Sequence, residues 1–306
     1  MSKLINTPVL FITYNKTDTT LKVLNKILKC NPSKLIIISD GPKTNHDEES
    51  VNYLRNYFNK NLDNSNIEKD YNHTNKGLKE TVTSSISKYI NKYGKLIIIE
   101  DDILPSKMFF DFCDKMLDLY KDEKKVNLIS GFNYLTRYKN QNGHQFSKFT
   151  DIWGWATWDD RWNNYESLSR EKLDRFIFEK NFFSDDSEKQ YYLNNFENVL
   201  NQKLDSWAFD LTFSNFINRN FSVLPNYNLT KNIGLGHKSS THTKNKNKYL
   251  IQTLNVRLSL LQRKNFNKQF VQLDTKFNSR YLNRVILKNT FYNKLIFRIL
   301  KFLNKT

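Results

Sequence analysis

The chain predicts an α/β fold, with one mostly parallel sheet flanked by helices. Three observations carry this. Short runs of aliphatic and β-branched residues recur, each too short for a helix. Between them lie segments whose apolar residues repeat at helical spacing. The two kinds alternate, which implies crossover connections and therefore parallel strands.

The elements follow in order. Pro8-Val-Leu-Phe-Ile-Thr-Tyr14 reads as a buried strand, and Asn15 to Asp18 as a polar turn. Leu21, Leu24, Ile27 and Leu28 then mark a helix that ends before Pro32. Leu35-Ile-Ile-Ile-Ser39 is a second strand, closed by Asp40-Gly41-Pro42. A polar helix follows near Asp47–Asn59, then a weaker strand over Ile67 to Tyr71. Leu78, Val82, Ile86 and Ile90 share one helical face, and Gly94 closes that helix. Lys95-Leu-Ile-Ile-Ile99 is the clearest strand and runs into Glu100-Asp101-Asp102. Ser106 stands where a cap would start a helix bearing Phe109, Phe110, Phe112, Met116, Leu117 and Tyr120. Val126-Asn-Leu-Ile-Ser130 is a further strand. Beyond Thr150 the composition shifts, and residues 153–162 hold four of the five Trp. Helices are expected around Leu168–Phe182, Glu188–Leu204 and Ser206–Asn218, with a late strand at Ser222-Val-Leu-Pro225.

Length and charge narrow the choices. The 306 residues suit one large domain with an appendage. Residues 243–306 carry 15 Lys and Arg against a single acid, Asp274, so a net +14 of the chain's +17 sits there. This division suggests a catalytic body over 1–243 and a basic, helical extension over 244–306. A nearly neutral body with a cationic tail differs from a uniformly basic nucleic-acid binder, and no nucleic-acid partner is expected. The two cysteines, Cys30 and Cys113, have no partners at metal-ligand spacing, and a reducing cytoplasm fits them. No run of about 18 apolar residues suggests a membrane span.

Chemistry concentrates at the strand ends. In doubly wound sheets, ligands bind beyond the carboxyl ends of the strands. Here those ends carry Thr13 and Asn15, Asp40, and Glu100-Asp101-Asp102. Three adjacent carboxylates at the end of a buried strand repel one another and lose hydration. A divalent cation removes that cost, and Mg²⁺ or Mn²⁺ takes one or two carboxylates together with phosphates and water. The bland alternative is a solvated turn. Asn75, Lys76 and Gly77 precede a helix whose free N–H groups suit phosphate, or which simply begins there. Trp153, Trp155, Trp158 and Trp162 interleave with Gly154, Asp159, Asp160 and Arg161. They form either a wall for sugar rings or part of the core.

Ile98-Ile-Glu-Asp-Asp-Ile-Leu-Pro-Ser106 followed by Phe109-Phe110 resembles the centre of the N-acetylglucosaminyltransferase I-like families, family 13 and its bacterial relatives. Supporting pieces are Pro8–Asn15, Ser39-Asp40-Gly41, Asn75-Lys-Gly-Leu78, the Trp-Gly-Trp-Ala-Thr-Trp segment, Asn232-Ile-Gly234 and Ser240-Thr-His242, so the likeness spans about residues 5–243. Those are inverting GT-A enzymes that use UDP-sugars and Mn²⁺.

The resemblance implies a Rossmann-like GT-A sheet and sugar transfer from a UDP-sugar to a hydroxyl of a glycan or glycolipid. It implies that Asp102 binds Mn²⁺ (or Mg²⁺), with Glu100 and Asp101 on the nucleotide-sugar. Asp40 would meet the uridine, with Thr13 and Asn15 lining the same pocket. A catalytic base next to a Trp at a helix start points to Asp205 in Asp205-Ser206-Trp207, with Asp210 second. Ser206 departs from the family's acid–acid–Trp pattern, and Asp205 equally suits an N-cap. His242 is a candidate metal ligand in a late loop, with His237 as the other candidate in that loop. Trp153, Trp155, Trp158 and Asp159 are the candidate acceptor contacts.

A sugar-nucleotide nucleotidyltransferase usually has a Gly- and Lys/Arg-rich loop after its first strand, whereas Thr13-Tyr-Asn-Lys-Thr17 has no Gly. A non-enzymatic binder of nucleic acid or anionic surfaces would use the tail, but its charge lies away from the Trp cluster. The stretch over 280–306 mixes Arg284, Lys288, Lys294, Arg298, Lys301 and Lys305 with many apolar residues. It suits peripheral contact with an anionic membrane, or packing on the body or on a second subunit.

Overall fold

In the computed structural model, residues 4–135, 142–177, 182–234 and 268–283 are described. The first half is built as expected. Strand β1 (Val9–Thr13) leads into helix α1 (Thr17–Lys29), β2 (Leu35–Ser39), α2 (Asn45–Asn61), β3 (Ile67–Tyr71), α3 (Leu78–Tyr93) and β4 (Lys95–Glu100). A short β5 (Ile103–Pro105), helix α4 (Lys107–Leu119) and β6 (Val126–Ser130) follow. Then come β7 (His144–Ser147), β8 (Trp155–Trp158), α5 (Asp159–Trp162), α6 (Arg170–Ile177), α7 (Asp186–Leu200) and α8 (Trp207–Ile217). The described chain ends with β9 (Phe221–Pro225), β10 (Thr230–Asn232) and α9 (Thr275–Tyr281).

Local chemistry sets several boundaries. Helix α1 has Asp18 in its first turn and Lys26 and Lys29 in its last, complementing the helix dipole. Thr44 and Asp47 form a reciprocal capping box at the start of α2. Gly94 ends α3 at φ 77°, in the left-handed region that suits glycine. Ser106 occupies the N-cap position of α4, but its hydroxyl makes no capping bond.

Eight strands form one sheet in the order β3-β2-β1-β4-β8-β6-β9-β7. The β3-β2-β1-β4 half is parallel. β8 is antiparallel to both β4 and β6, and β7 is antiparallel to β9. Every residue of β1, β2 and β6 is buried, as strands covered on both faces require. Alternate residues serve the two faces. Val9, Phe11, Ile37, Ile97 and Ile99 pack with Val23, Leu24, Leu54, Phe58 and Phe109 of α1, α2 and α4. Leu10, Ile12, Ile36, Ile38, Leu96 and Ile98 pack with Val82 and Ile86 of α3 and with Trp155, Trp162 and Trp207. Each such fully buried aliphatic contributes about 1.5–3 kcal/mol through burial.

The chain runs outward through β1, β2 and β3, then returns to place β4 on the other side of β1. This reversal makes the gap between β1 and β4 the switch point where such sheets open a crevice. Strands β5 and β10 pair separately, with Asn232 opposite Ile103. That small ladder lays residues 230–232 along the chain that follows Asp102.

A third core joins α6, α7 and α8 through Leu173, Phe196, Phe213 and Phe216. Phe277, Tyr281 and Leu282 belong to it. Gln269 also donates from Nε2 to the His144 carbonyl at 2.8 Å, and Asn278 from Nδ2 to the Phe146 carbonyl at 3.1 Å. This part of the basic segment is therefore built into the body. The boundary expected at 243 and the basic apolar stretch beyond 283 lie outside the described residues. Among the described residues no helix is long and apolar enough to cross a membrane.

The tail contact includes a titrating pair. Tyr281 donates its hydroxyl to Asp151 Oδ1 at 2.6 Å, while Asp151 Oδ2 is buried without a hydrogen-bond partner among the described residues. Burial pushes the Asp151 carboxyl from its ordinary 3.8 up to about 7, against the lowering effect of the Tyr281 bond. The folded state thus favours the protonated acid. The associated stability is present below about pH 4 and lost as pH rises through about 7. Urea titrations of the native chain and Asp151→Asn across that window check this. The native chain should lose stability relative to the variant by on the order of 3 kcal/mol as pH rises.

Candidate active site

The carboxyl ends of β1 and β4 meet at the switch point. Turn residues 14–16 follow β1, and the three acids end β4 and its turn. The backbone N–H of Tyr14 donates to Asp101 Oδ2 at 3.1 Å. Lys16 Nζ donates to Asp101 Oδ1 at 3.3 Å and to Asp102 Oδ2 at 2.9 Å. Asp102 is braced from behind, since its carbonyl accepts the Ile233 N–H at 2.8 Å. Gly234 lies so close that a Cβ there would sit 2.3 Å from Asp102 Oδ2. The Asn232-Ile-Gly234 motif thus stands against Asp102.

The electrostatics follow from crowding. Burial raises the Glu100 carboxyl to about 8, helped by Asp102 and Asp101 and opposed by Lys16. Burial also raises Asp101, against the pull of Lys16. Burial disfavours the Lys16 charge, but Asp101 and Asp102 outweigh it, so the ammonium stays protonated. The site is a mostly enclosed acidic cluster whose charge is partly balanced by one lysine.

Does this donor set suit a divalent ion? Two carboxylates converge on one point, and the ammonium of Lys16 stands there as a protein-borne cation. Among the described residues no group of three His, Cys, Asp or Glu side chains gathers around a common point. Mg²⁺-type sites commonly use one or two carboxylates with phosphates and water, so the pair fits such an ion. His237 and His242 lie outside the described residues.

Around this centre several expected contacts take other roles. Asp40 accepts five hydrogen bonds: from the backbone N–H groups of Gly41, Lys76 and Gly77 and from the amides of Asn72 and Asn75, at 3.0–3.1 Å. Its carboxylate clamps the end of β2 to the start of α3 and has no capacity left for uridine. Asn75 also bonds the Gly41 carbonyl at 2.8 Å. Gly41 is required there, because a Cβ would lie 2.4 Å from the Thr74 backbone. Thr13 is buried and donates to the Ile38 carbonyl at 2.8 Å. Asn15 is half-buried and donates to Asp47 at 2.7 Å. Lys76 is exposed at the start of α3.

The Trp segment divides between the two readings. Trp155 is 1% exposed and lies in the core beside Trp162 and Trp207. Trp158 is buried, donates to the Leu117 carbonyl at 3.2 Å and is covered by the Arg161 guanidinium. Neither ring has a free face for a sugar. The acceptor role expected of them is corrected to packing. Asp159 is corrected for a different reason. Trp158 pairs with Lys95 at the amino end of β4, and the Asp159 N–H bonds the Gly94 carbonyl. Five residues of β4 separate that end from Glu100, roughly 17 Å. Trp153 remains a candidate acceptor contact. It is half-buried, its ring stacks obliquely on Phe132 at 4.5 Å, and its carbonyl accepts from Thr230 of β10.

The candidate bases lie on helix α8 and at the residue before its N-cap. Lys79 in the first turn of α3 pairs with Asp210 at 2.8 Å. Because α3 starts beside Asp40, this contact sets the start of α8 at the carboxyl end of the sheet. Asp210 itself is fully buried, bonded by Tyr165, and accepts the Leu168 N–H at 3.0 Å. It is a hub between α3, α8 and the 165–168 loop, not a free base. Replacing it strands several polar groups, so Asp210→Ala should cost about 3 kcal/mol in urea denaturation. A folded Asp210→Asn protein that had lost only catalysis would return it to the catalytic set. Asp205 is exposed, one residue before the N-cap Ser206, and no hydrogen bond to its side chain is present among the described residues.

Lys16 is the residue the sequence did not mark. A lysine in a polar turn has no periodic or spacing signal, and only the β1–β4 neighbourhood gives it meaning.

No family model matches the chain, and no curated protein matches it. Among solved structures, GalNAc-T7 with UDP, GalNAc and Mn²⁺ is similar over 72% of this chain at 9% identity and TM-score 0.44. The chain covers only 42% of that protein. UDP-glucose pyrophosphorylase complexed with UDP-glucose is similar over 82% of this chain and 97% of its own, at 9% identity and TM-score 0.35. The 4-diphosphocytidyl-2C-methyl-D-erythritol synthase of Anaerococcus prevotii DSM 20548 is similar over 62% of this chain and 83% of its own, at 9% identity and TM-score 0.30. Likeness this distant says nothing about chemistry, which has to come from the residues.

Proposed function

We propose that this protein is an inverting glycosyltransferase that moves a sugar from a UDP-sugar to a hydroxyl of a glycan or glycolipid. The single observation behind this is the acidic centre at the β1–β4 switch point, where Asp101 and Asp102 share one cation position. A nucleoside diphosphate needs such a place, because its charge must be balanced as it leaves. The N-terminal turn of α3 and the backbone of residues 14–16 border the same end of the sheet.

When bound, Mn²⁺ or Mg²⁺ held by Asp102, with Asp101 beside it, would neutralise charge on the diphosphate. The remaining steps belong to the chain. Trp153, half-buried and backed by Phe132 and Tyr134, offers an aromatic surface for the acceptor. Asp205 takes the proton of the acceptor hydroxyl as that oxygen forms its bond to the anomeric carbon. The bond from that carbon to the diphosphate oxygen breaks on the opposite face, and UDP keeps the electron pair. One displacement inverts the anomeric centre. Glu100, at the end of β4 beside the pair, contacts the nucleotide-sugar.

Calorimetric titration of UDP, CDP and GDP into the native chain tests the donor class, with Mn²⁺ and again with a chelator. Selective UDP binding supports the reading. Absence of UDP binding in both conditions sinks it. Pyrophosphate release on turnover with UTP and a sugar phosphate would make the protein a nucleotidyltransferase instead.

A further inference from the structure

Lys16 is fixed at both ends. Its backbone is the N-cap position of α1, and its carbonyl accepts the Thr20 N–H at 2.9 Å. Its ammonium lies 3.3 Å from Asp101 Oδ1 and 2.9 Å from Asp102 Oδ2. All three side chains are mostly enclosed, at 22%, 8% and 16% exposed. An ammonium bonded to two carboxylates at the switch point of the sheet is not a surface ion pair. It occupies the position that a divalent ion would need.

We propose that Lys16 and a divalent ion are mutually exclusive occupants of the Asp101–Asp102 position. Two cations cannot share those two oxygens, since like charges in a poorly solvated pocket repel strongly. Entry of the ion therefore displaces the ammonium. The stem stays anchored at α1, so the freed ammonium remains at the crevice and within reach of a diphosphate. Before any ion enters, Lys16 already supplies one positive charge to the same crevice. The second consequence rests on the proposed donor site; the first does not.

Two measurements on the full chain separate these points. The first uses Mn²⁺ alone, followed by its electron paramagnetic resonance signal, with no nucleotide present. Lys16→Met should bind Mn²⁺ on the order of tenfold more tightly than the native chain, and Lys16→Arg should stay close to native. Equal Mn²⁺ affinity for Lys16→Met and native protein overturns the proposal. So does a lack of measurable binding to either. If Lys16→Met does not fold, the native chain still answers. Its Lys16 side-chain ¹⁵N resonance, assigned by its loss in Lys16→Arg, should shift on titration with Mg²⁺, and a resonance unmoved at saturating Mg²⁺ overturns the proposal.

The second measurement is UDP binding in a chelator. Native protein should retain it, and Lys16→Met should lose it and recover it with Mn²⁺. Native binding abolished by the chelator overturns the role of Lys16 toward the nucleotide. UDP binding absent under every condition strikes the proposed function instead, and leaves the Mn²⁺ competition to be judged by the first measurement.

Discussion

Asp205→Asn is expected to slow sugar transfer about a thousandfold while leaving UDP affinity unchanged. The asparagine matches the carboxylate in shape but cannot take the acceptor proton. Asp205 is exposed and lies one residue before the N-cap of the helix, so little of the fold depends on it. Its neighbour Trp207 is buried in the core that includes Ile12 and Ile98 of β1 and β4, which holds the start of α8 over those strands. The carboxylate is thus a free group on a rigid support, a suitable combination for a base. Initial rates of UDP release, with a UDP-sugar and a glycan acceptor, measure the effect. Transfer at the native rate would move the base elsewhere in the site.

The second large effect is at Asp102. Asp102→Ala should remove the gain in UDP affinity that Mn²⁺ produces, about a hundredfold or ~2.7 kcal/mol. The carboxylate is both the proposed ligand for the ion and the nearer partner of Lys16, at 2.9 Å against 3.3 Å for Asp101. Its backbone is held by Ile233, so the loss should be local and the thermal midpoint little changed. Calorimetry with and without Mn²⁺ reads the change. An undiminished response to Mn²⁺ would place the ion away from this pair.

Much of the fold was legible because burial leaves a plain mark in sequence. Strands β1, β2, β4 and β6 are aliphatic runs since helices cover both their faces, and α1, α3 and α4 show their apolar stripes. Strand β3 was weaker in sequence because it is an edge, and its Glu68, Lys69 and Asp70 are the polar residues edges carry. The less regular half was harder. His144-Gln-Phe-Ser147 has little hydrophobic pattern, yet it forms β7. Trp155 to Trp158 form β8, whose aromatic content suggested a binding wall when it was filling the centre of a sheet.

Site residues divide in the same way. Glu100, Asp101 and Asp102 were visible because acids at the end of an aliphatic strand are unusual. Asp40 was visible too, but its role was not. Five donors from residues 41, 72 and 75–77 converge on it only after the chain has crossed from β2 through β3 to α3. Lys16 was invisible for the same reason, since its partners lie 85 and 86 positions away. Side-chain type tells what a group can do, and long-range closure decides what remains free to do it.

The position of β8 bears on how the chain is made. The parallel half β3-β2-β1-β4 is complete by Glu100, but β4 gains its other neighbour only when Trp155–Trp158 arrives. At ribosomal speeds of about 5–20 residues per second, those roughly 55 residues take on the order of 3–11 s. During that interval Leu96 to Ile99 form an unpartnered aliphatic edge, the kind of ribbon that recruits strands from other chains. β6 emerges meanwhile but pairs with β8, not β4, so it cannot close the gap in its native register. Nascent chains stalled between residues 100 and 155 should therefore be the most dependent on chaperones.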